Sequence, residues 1–195
     1  MRDNGRVTTD ADPEPAPNDA AEPDWVKVVA EERCDECGLE SNTVPRAGLG
    51  AAIGVAAEAW AELLTDTPPP DLQRRLGGGG WTALEYGCHV RDVFRVFSGR
   101  LALILAEDEP ELVWWDHGAA VVEDRYAEQD PAVVADELVD RARRFATELD
   151  AVTPDGWERT GVRRGTERFT VDGLARFALH ETVHHLHDAE RAIAP

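Results

Sequence analysis

Apolar residues recur at helical spacing in four stretches of the chain, and residues that start or stop helices separate these stretches. Three prolines at positions 68–70 end the first stretch, and Thr82 and Glu85 have the spacing of a capping box at the start of the second. Asp130 followed by Pro131 starts the third, and Thr170 caps the fourth. The sequence therefore predicts helices over about residues 47–64, 82–106, 131–149 and 170–193.

The connection between the second and third predicted helices is about 20 residues long, which is too long for a simple turn between antiparallel neighbours. A helix of about 24 residues is roughly 36 Å long, and about 20 extended residues can cover that distance. The two helices can therefore run parallel. Residues 157–169 are expected to form a short hairpin with Gly165 near its turn. The predicted fold class is all-α, a four-helix bundle with a long crossover between helices two and three, whose core can hold a metal.

The residues before the bundle have a different composition. Residues 1–24 combine prolines and acidic residues without apolar periodicity, so they are expected to form a disordered tail. Residues 25–45 form a short lead-in segment that contains Cys34 and Cys37. The predicted bundle domain then covers residues 46–195.

The charge of the chain bears on its partners and location. Acidic residues outnumber basic ones 39 to 20, a net charge of −19, which disfavours nucleic acid and anionic membrane surfaces as partners. No apolar run approaches the roughly 20 residues of a membrane span, and no signal peptide is evident at the amino terminus. An odd number of cysteines suits a reducing compartment. We expect a cytoplasmic protein that binds neither nucleic acid nor membrane.

Four of the six histidines lie within eight residues of the fourth predicted helix, at His180, His184, His185 and His187. Residues 180 and 184 are one turn apart on one face, so their imidazoles can converge on one cation, although a solvated polar face is the alternative. His89 on the second helix is the strongest candidate for a third ligand. Three imidazoles and a water would leave an open position for catalysis.

His180 to His184 also spell H-E-x-x-H, the metallopeptidase motif in which Glu181 would act as general base. Only eleven residues follow His184, which leaves little chain for a late third ligand. The helical pattern also offers no sheet edge for a peptide substrate. A metallohydrolase is therefore the less favoured alternative.

The segment W-T-A-L-E-Y-G-C-H-V-R-D at 81–92, followed far downstream by His180-x-x-x-His184, resembles the DinB/YfiT family of metal-binding four-helix bundles. The resemblance covers about residues 46–193. It implies an up-down-down-up bundle and a divalent metal, often zinc or nickel, held here by His89, His180 and His184. The isomerase-like branch of the family can use Glu in place of the first histidine of helix four, a position that His180 occupies here.

The superfamily that the chain resembles includes mycothiol-dependent maleylpyruvate isomerase and bacillithiol transferases. The resemblance therefore implies a thiol-dependent transferase or isomerase, with a low-molecular-weight thiol such as mycothiol and a small electrophile as partners. A non-catalytic bundle that stores or senses metal is the rival hypothesis. The oligomeric state, a homodimer included, is open.

Asp92, three residues after His89, is a candidate base or a carboxylate that orients a ligand, with an ordinary surface carboxylate as the alternative. Asp116 and His117 in the crossover are weaker candidates for lining the entrance to a substrate site.

Cys34 and Cys37 form a C-x-x-C knuckle that could supply half of a structural zinc site, but the sequence shows no evident second half. Cys88 lies beside His89 and points about 100° away from it on the helix. Three interpretations stay open for the knuckle: unreactive thiols in a turn, a partial zinc site, or a redox pair. A similar C-x-E-C-G segment precedes the bundle in some actinobacterial proteins that the chain resembles.

Overall fold

The computed structural model describes residues 28–29, 31–75, 77 and 80–194, so the predicted disordered tail lies outside the described residues. The helices predicted from the sequence are confirmed, each within two residues of its expected ends. Four long helices form the bundle: α1 Arg46–Asp66, α2 Ala83–Ala106, α3 Pro131–Asp150 and α4 Val171–Ile193.

The residues that start these helices do so by capping the first turn. Thr82 and Glu85 form the predicted capping box, in which each side chain accepts a hydrogen bond from the other residue's backbone N–H. Asp130 accepts from the backbone of α3, and Thr170 accepts from the N–H of Gly173 in α4 at 2.9 Å. These contacts satisfy N–H groups that the first turn of a helix leaves without a partner.

The contacts between helices define their directions. Arg46 pairs with Asp172 at 2.8 Å, so α1 and α4 start at the same end and run parallel. Phe94 of α2 packs on Phe145 of α3, and Asp92, two residues earlier on α2, pairs with Arg141, four residues earlier on α3, so these two helices are also parallel. α2 and α4 are antiparallel, because Tyr86 lies against His185 whereas Phe97 lies against Phe177. This is the expected up-down-down-up bundle.

The crossover between α2 and α3 contains two helical segments that the sequence analysis did not predict, a short helix His117–Glu123 and a 3-10 turn Tyr126–Glu128. The predicted hairpin is present as β1 Thr160–Arg163 and β2 Glu167–Thr170, with Gly165 in the turn at φ +71°. The crossover hydrogen-bonds to β1 through the N–H and carbonyl of Val162, so the two segments pack together. Shorter helical segments with described bounds are Ser41–Thr43, Pro69–Leu72 and Pro154–Glu158.

The bundle core is apolar and aromatic. By length and hydropathy alone, α1 is a candidate membrane span among the described residues. Its inner face, however, buries Leu49, Ile53 and Trp60 within the bundle. The Trp60 indole N–H also donates to the carbonyl of Thr182 in α4, at 2.9 Å. We therefore interpret α1 as a core helix of the bundle.

The lead-in segment docks on α4. The guanidinium of Arg176 donates hydrogen bonds to the carbonyls of Ser41 and Val44, which ties the end of this segment to the helix. Further upstream, the Cys34 Sγ lies 3.6 Å from the Nδ1 of His184. The cysteine knuckle is therefore positioned against the histidines of α4.

Candidate metal centre

A cavity of about 270 Å³ lies between α2 and α4, beneath the crossover. Aromatic side chains form much of its wall, and a group of histidines with Glu181 lies at one side. Pockets that bind small molecules have this character, an apolar wall with a few polar groups. The aromatic residues of the wall are Trp81, Phe97, Trp114, Trp115 and Phe177.

Helix α4 carries two pairs of potential ligands with the same four-residue spacing, His180 with His184 and Glu181 with His185. A shift of one residue turns about 100° around a helix, so the two pairs face different neighbours. Ligand atoms that lie within 4.8 Å of one another form one group around each pair, and a further group of His184, His185 and Asp188 links the two pairs.

The first group, which we term the His–Glu cluster, consists of His89, Glu181 and His185. The Nε2 of His89 lies 3.1 Å from the Oε2 of Glu181, and the Nε2 of His185 lies 3.5 Å from the same oxygen. The two imidazole rings meet edge to face, with centroids 4.9 Å apart. On its other side, the Nδ1 of His185 lies 3.1 Å from a carboxylate oxygen of Asp188, which fixes the ring.

The charges in this cluster are strongly coupled. Burial lowers the pKa of His89 to about 4, against the opposing effect of its hydrogen bond to Glu181. Burial also acts to lower the pKa of His185, but the carboxylates of Asp188 and Glu181 outweigh it and raise that pKa to about 9. Burial acts to raise the pKa of Glu181, yet His185 and His89 hold it well below its ordinary value. The carboxylates of Glu181 and Asp188 therefore favour a positive charge at His185.

The donor set of the His–Glu cluster fits a divalent metal. Two imidazole nitrogens and one carboxylate oxygen are a ligand set of catalytic zinc sites, which keep a further position open for water or substrate. The ligand atoms that converge are the Nε2 of His89, the Oε2 of Glu181 and the Nε2 of His185. The Nδ1 of His89, the other ring nitrogen, is buried without a hydrogen-bond partner among the described residues. The cluster also borders the cavity, where a substrate would have access to it.

The second group, which we term the Cys–His cluster, consists of Cys34, Cys37, His180 and His184. The rings of His180 and His184 stack with centroids 5.0 Å apart. The sequence shows no second pair of ligands for the knuckle, and in the structure two imidazoles of α4 lie next to it.

Comparison with models of protein families identifies the family of the chain. A model of the DinB superfamily matches residues 53–189 of the chain. The chain belongs to the DinB superfamily. This confirms the resemblance stated from residues 81–92 and the histidines of α4. The comparison with curated proteins gave no match.

The DinB fold is also evident in a solved structure. The chain is similar to YfiT from Bacillus subtilis, described as a probable metal-dependent hydrolase with an unusual four-helix bundle topology. The TM-score is 0.68 at 18% identity, covering 75% of this chain and 86% of YfiT. At that identity the likeness shows the fold.

The ligands predicted for the DinB metal, His89, His180 and His184, all line the cavity but lie in different clusters. Among the described residues, His89 groups with Glu181 and His185 instead. The sequence did contain a signal for Glu181 and His185 as partners of His89. These two residues repeat the four-residue spacing and place a glutamate first, as in the isomerase-like branch. In the H-E-x-x-H reading, Glu181 would serve a metal on His180 and His184, yet its carboxylate faces His89 and His185.

Asp92, the predicted base, lies on the side of α2 that faces α3. Its carboxylate accepts hydrogen bonds from Tyr126 at 2.7 Å and Arg141 at 2.6 Å, and it pairs with Arg91. Burial acts to raise the pKa of Asp92, but these donors outweigh burial and hold the pKa below its ordinary value. Asp92 is not among the residues that line the cavity. These contacts favour a structural role for Asp92.

Of the two weaker candidates in the crossover, His117 lines the cavity and Asp116 caps the short helix that His117 begins. The sequence analysis missed Arg100 and Arg163, two cations of the cavity wall. Arg100 is buried, donates to the carbonyl of Val113 at 3.2 Å and, among the described residues, has no carboxylate within ion-pair distance. Burial, with a contribution from Arg163, lowers the pKa of Arg100 to about 10. Nothing in the sequence distinguished these two among nineteen arginines.

Proposed function

We propose that this DinB-superfamily protein is a metal-dependent enzyme that joins a low-molecular-weight thiol of the mycothiol type to a small electrophile, as a transferase or an isomerase. Its metal ligands are His89, Glu181 and His185, and the metal is zinc or nickel. The observation that carries the proposal is the position of the His–Glu cluster at the wall of an aromatic cavity.

When bound, a divalent metal supplies Lewis acidity that favours the deprotonated form of a thiol at neutral pH. The protein supplies the orientation. Asp188 fixes His185, and the Trp115 ring stacks on His89 with centroids 5.3 Å apart. The aromatic wall limits the access of water that would compete with the thiol.

Arg100 suggests the class of electrophile. A buried guanidinium without a carboxylate partner is costly, and it is rare unless it serves a ligand. The cavity wall carries Arg163, which pairs with Glu167, and Arg100, which has no such partner among the described residues. In a chain with a net charge of −19, the position of Arg100 is a local exception that suits an anion. The proposed electrophile therefore carries a carboxylate.

The proposal is tested by conjugation in vitro. Zinc- or nickel-loaded protein, incubated with mycothiol and monochlorobimane, is expected to form the conjugate faster than metal-free protein does. His89→Ala should abolish the acceleration, whereas His187→Ala, on the same helix but in neither cluster, should retain it. Equal rates with and without metal would contradict the proposal and favour the non-catalytic, metal-sensing alternative. Turnover of an ester or amide without thiol would instead favour a hydrolase.

The role of Arg100 has its own test. Arg100→Gln removes the charge and is expected to lower kcat/KM about 10- to 100-fold for an electrophile with a carboxylate, since hydrogen bonds to charged groups contribute about 1.5–3 kcal/mol. The reaction of an uncharged electrophile should change little. An equal loss for both substrates would mean that Arg100 supports the fold and does not recognise an anion.

A further inference from the structure

The Cys–His cluster shares no ligand with the site proposed above for the reaction, although Asp188 lies near both, 3.5 Å from the Nε2 of His184 and 3.1 Å from the Nδ1 of His185. Its cysteines lie in the turn 34–38, where the N–H of Gly38 donates to the carbonyl of Cys34 at 2.8 Å and the N–H of Cys34 donates to the carbonyl of Leu39 at 2.9 Å. Gly38 has φ +75°, which favours glycine. The backbone is thus folded into a knuckle with both thiols on α4's side, although neither is in a disulfide.

The ligand atoms of the four side chains are already gathered. All lie within 4.8 Å of one another, and the Cys34 Sγ is 3.6 Å from the His184 Nδ1. Cys34 and His180 are buried, while Cys37 and His184 are half-buried. The chain spacings, C-x-x-C and H-x-x-x-H, are those of structural zinc sites with two thiolates and two imidazoles.

We propose that Cys34, Cys37, His180 and His184 bind a second metal ion, a zinc-class cation in a closed four-coordinate site. Thiolates select soft and borderline metals, and four protein ligands leave no position for substrate. The site joins the lead-in segment to α4 across about 145 residues of chain, so its role is structural.

A redox pair is the principal competing interpretation of the knuckle. A dithiol that cycles with a disulfide needs access for its partner, and one imidazole is enough to activate its thiol, whereas two imidazoles lie at ligand distance here. Cys34 is buried and has His184 as a neighbour instead. The geometry therefore favours metal over redox chemistry.

The test uses the full-length protein and cobalt as a spectroscopic probe. Cobalt-loaded protein is expected to show thiolate-to-cobalt charge-transfer absorption, which Cys34→Ser/Cys37→Ser abolishes. Cys88→Ser is the matched control, because that thiol is buried beside the carbonyl of Tyr126, away from the cluster, and it should keep the absorption. His89→Ala should keep it as well, which separates this site from the His–Glu cluster. Failure of the conjugation assay would leave these expectations unchanged.

A second measurement uses the wild-type protein, so it does not depend on whether the double variant folds. In the wild-type protein, zinc should shield Cys34 and Cys37 from alkylation, and a chelator should expose both. Peptide mass spectrometry identifies the alkylated residues. Equal reactivity with and without zinc, a native Cys34–Cys37 disulfide, or cobalt absorption that survives in the double variant would each overturn the proposal.

Discussion

The two faces of α4 each carry a pair of potential ligands four residues apart, but the two pairs have different surroundings. Toward α2, Glu181 and His185 meet a single imidazole, His89, at the wall of a cavity. Toward the lead-in, His180 and His184 meet two thiols from a folded turn. Three hard or borderline donors beside a cavity suit a site that exchanges its fourth ligand, whereas two thiolates and two imidazoles suit a closed one. Four-residue spacing therefore identifies a possible pair of ligands, and the surroundings decide what the pair does.

Glu181→Gln should produce the largest difference between the two clusters in metal binding. Glutamine has nearly the same shape but no negative charge, so we expect metal affinity at the His–Glu cluster to fall by more than about 100-fold, since loss of an outer-shell partner alone costs about 10- to 100-fold. Conjugation activity should be lost with the metal. The thiolate absorption of the cobalt-loaded Cys–His cluster should persist. Simultaneous loss of both metals at full helicity would mean that the two faces form one site.

Asp92→Asn tests a residue outside both clusters, on the side of α2 that faces α3. Removal of one charge from a buried ion-pair network destabilises a protein by about 3–5 kcal/mol, and we expect a loss toward the low end because asparagine keeps one acceptor. Chemical denaturation measures the effect. Metal content at both clusters should be unchanged. A large fall in kcat with little change in stability would instead support the prediction that Asp92 is a catalytic base.

Asp92 should also make the free energy of unfolding depend on pH in the acid range. Because the pKa of Asp92 is lower in the folded protein than in the unfolded chain, its contribution to stability is complete above the ordinary aspartate pKa and is lost as pH falls through the folded value. The difference in unfolding free energy between wild type and Asp92→Asn should therefore shrink as pH falls below about 4. Denaturation of metal-free protein over this range measures it. A difference that stays constant with pH would contradict the assignment.

His187→Ala should have the smallest effect. His187 shares the crowded histidine segment but belongs to neither cluster. We expect a change in unfolding free energy within about 0.5 kcal/mol, and no loss of either metal. Calorimetry and metal analysis of the purified variant measure both. A lost metal ion would show that the assignment of faces on α4 needs revision.

The helices could be predicted because the interactions that start them lie between residues close together in the sequence. The capping residues Thr82, Asp130 and Thr170 act within three residues of themselves, so their effect can be inferred from sequence alone. The length of the crossover likewise predicted the parallel arrangement of α2 and α3. The short helix His117–Glu123 was missed because its apolar pattern covers less than two turns, too few to establish a period.

The grouping of ligands depends on contacts between distant parts of the chain. The sequence analysis joined His180 and His184 to His89, because the two lie one turn apart on one face and the family resemblance implies these three ligands. The rotation of α4 about its axis is set by packing along its whole length, and it brings Glu181 and His185 to His89 instead. The sequence shows no partner for the knuckle for the same reason, since its neighbour on α4 lies 150 residues away in the chain.

The docking of the lead-in on α4 has a practical consequence for anyone who trims this protein to the part that matches the family. The match begins at residue 53, inside α1, so a fragment cut there would discard Cys34, Cys37 and the segment that Arg176 ties down. Such a fragment would leave a bare imidazole pair on the surface of α4, open to adventitious nickel during affinity purification. The metal content of truncated protein would then reflect the column and not the cell.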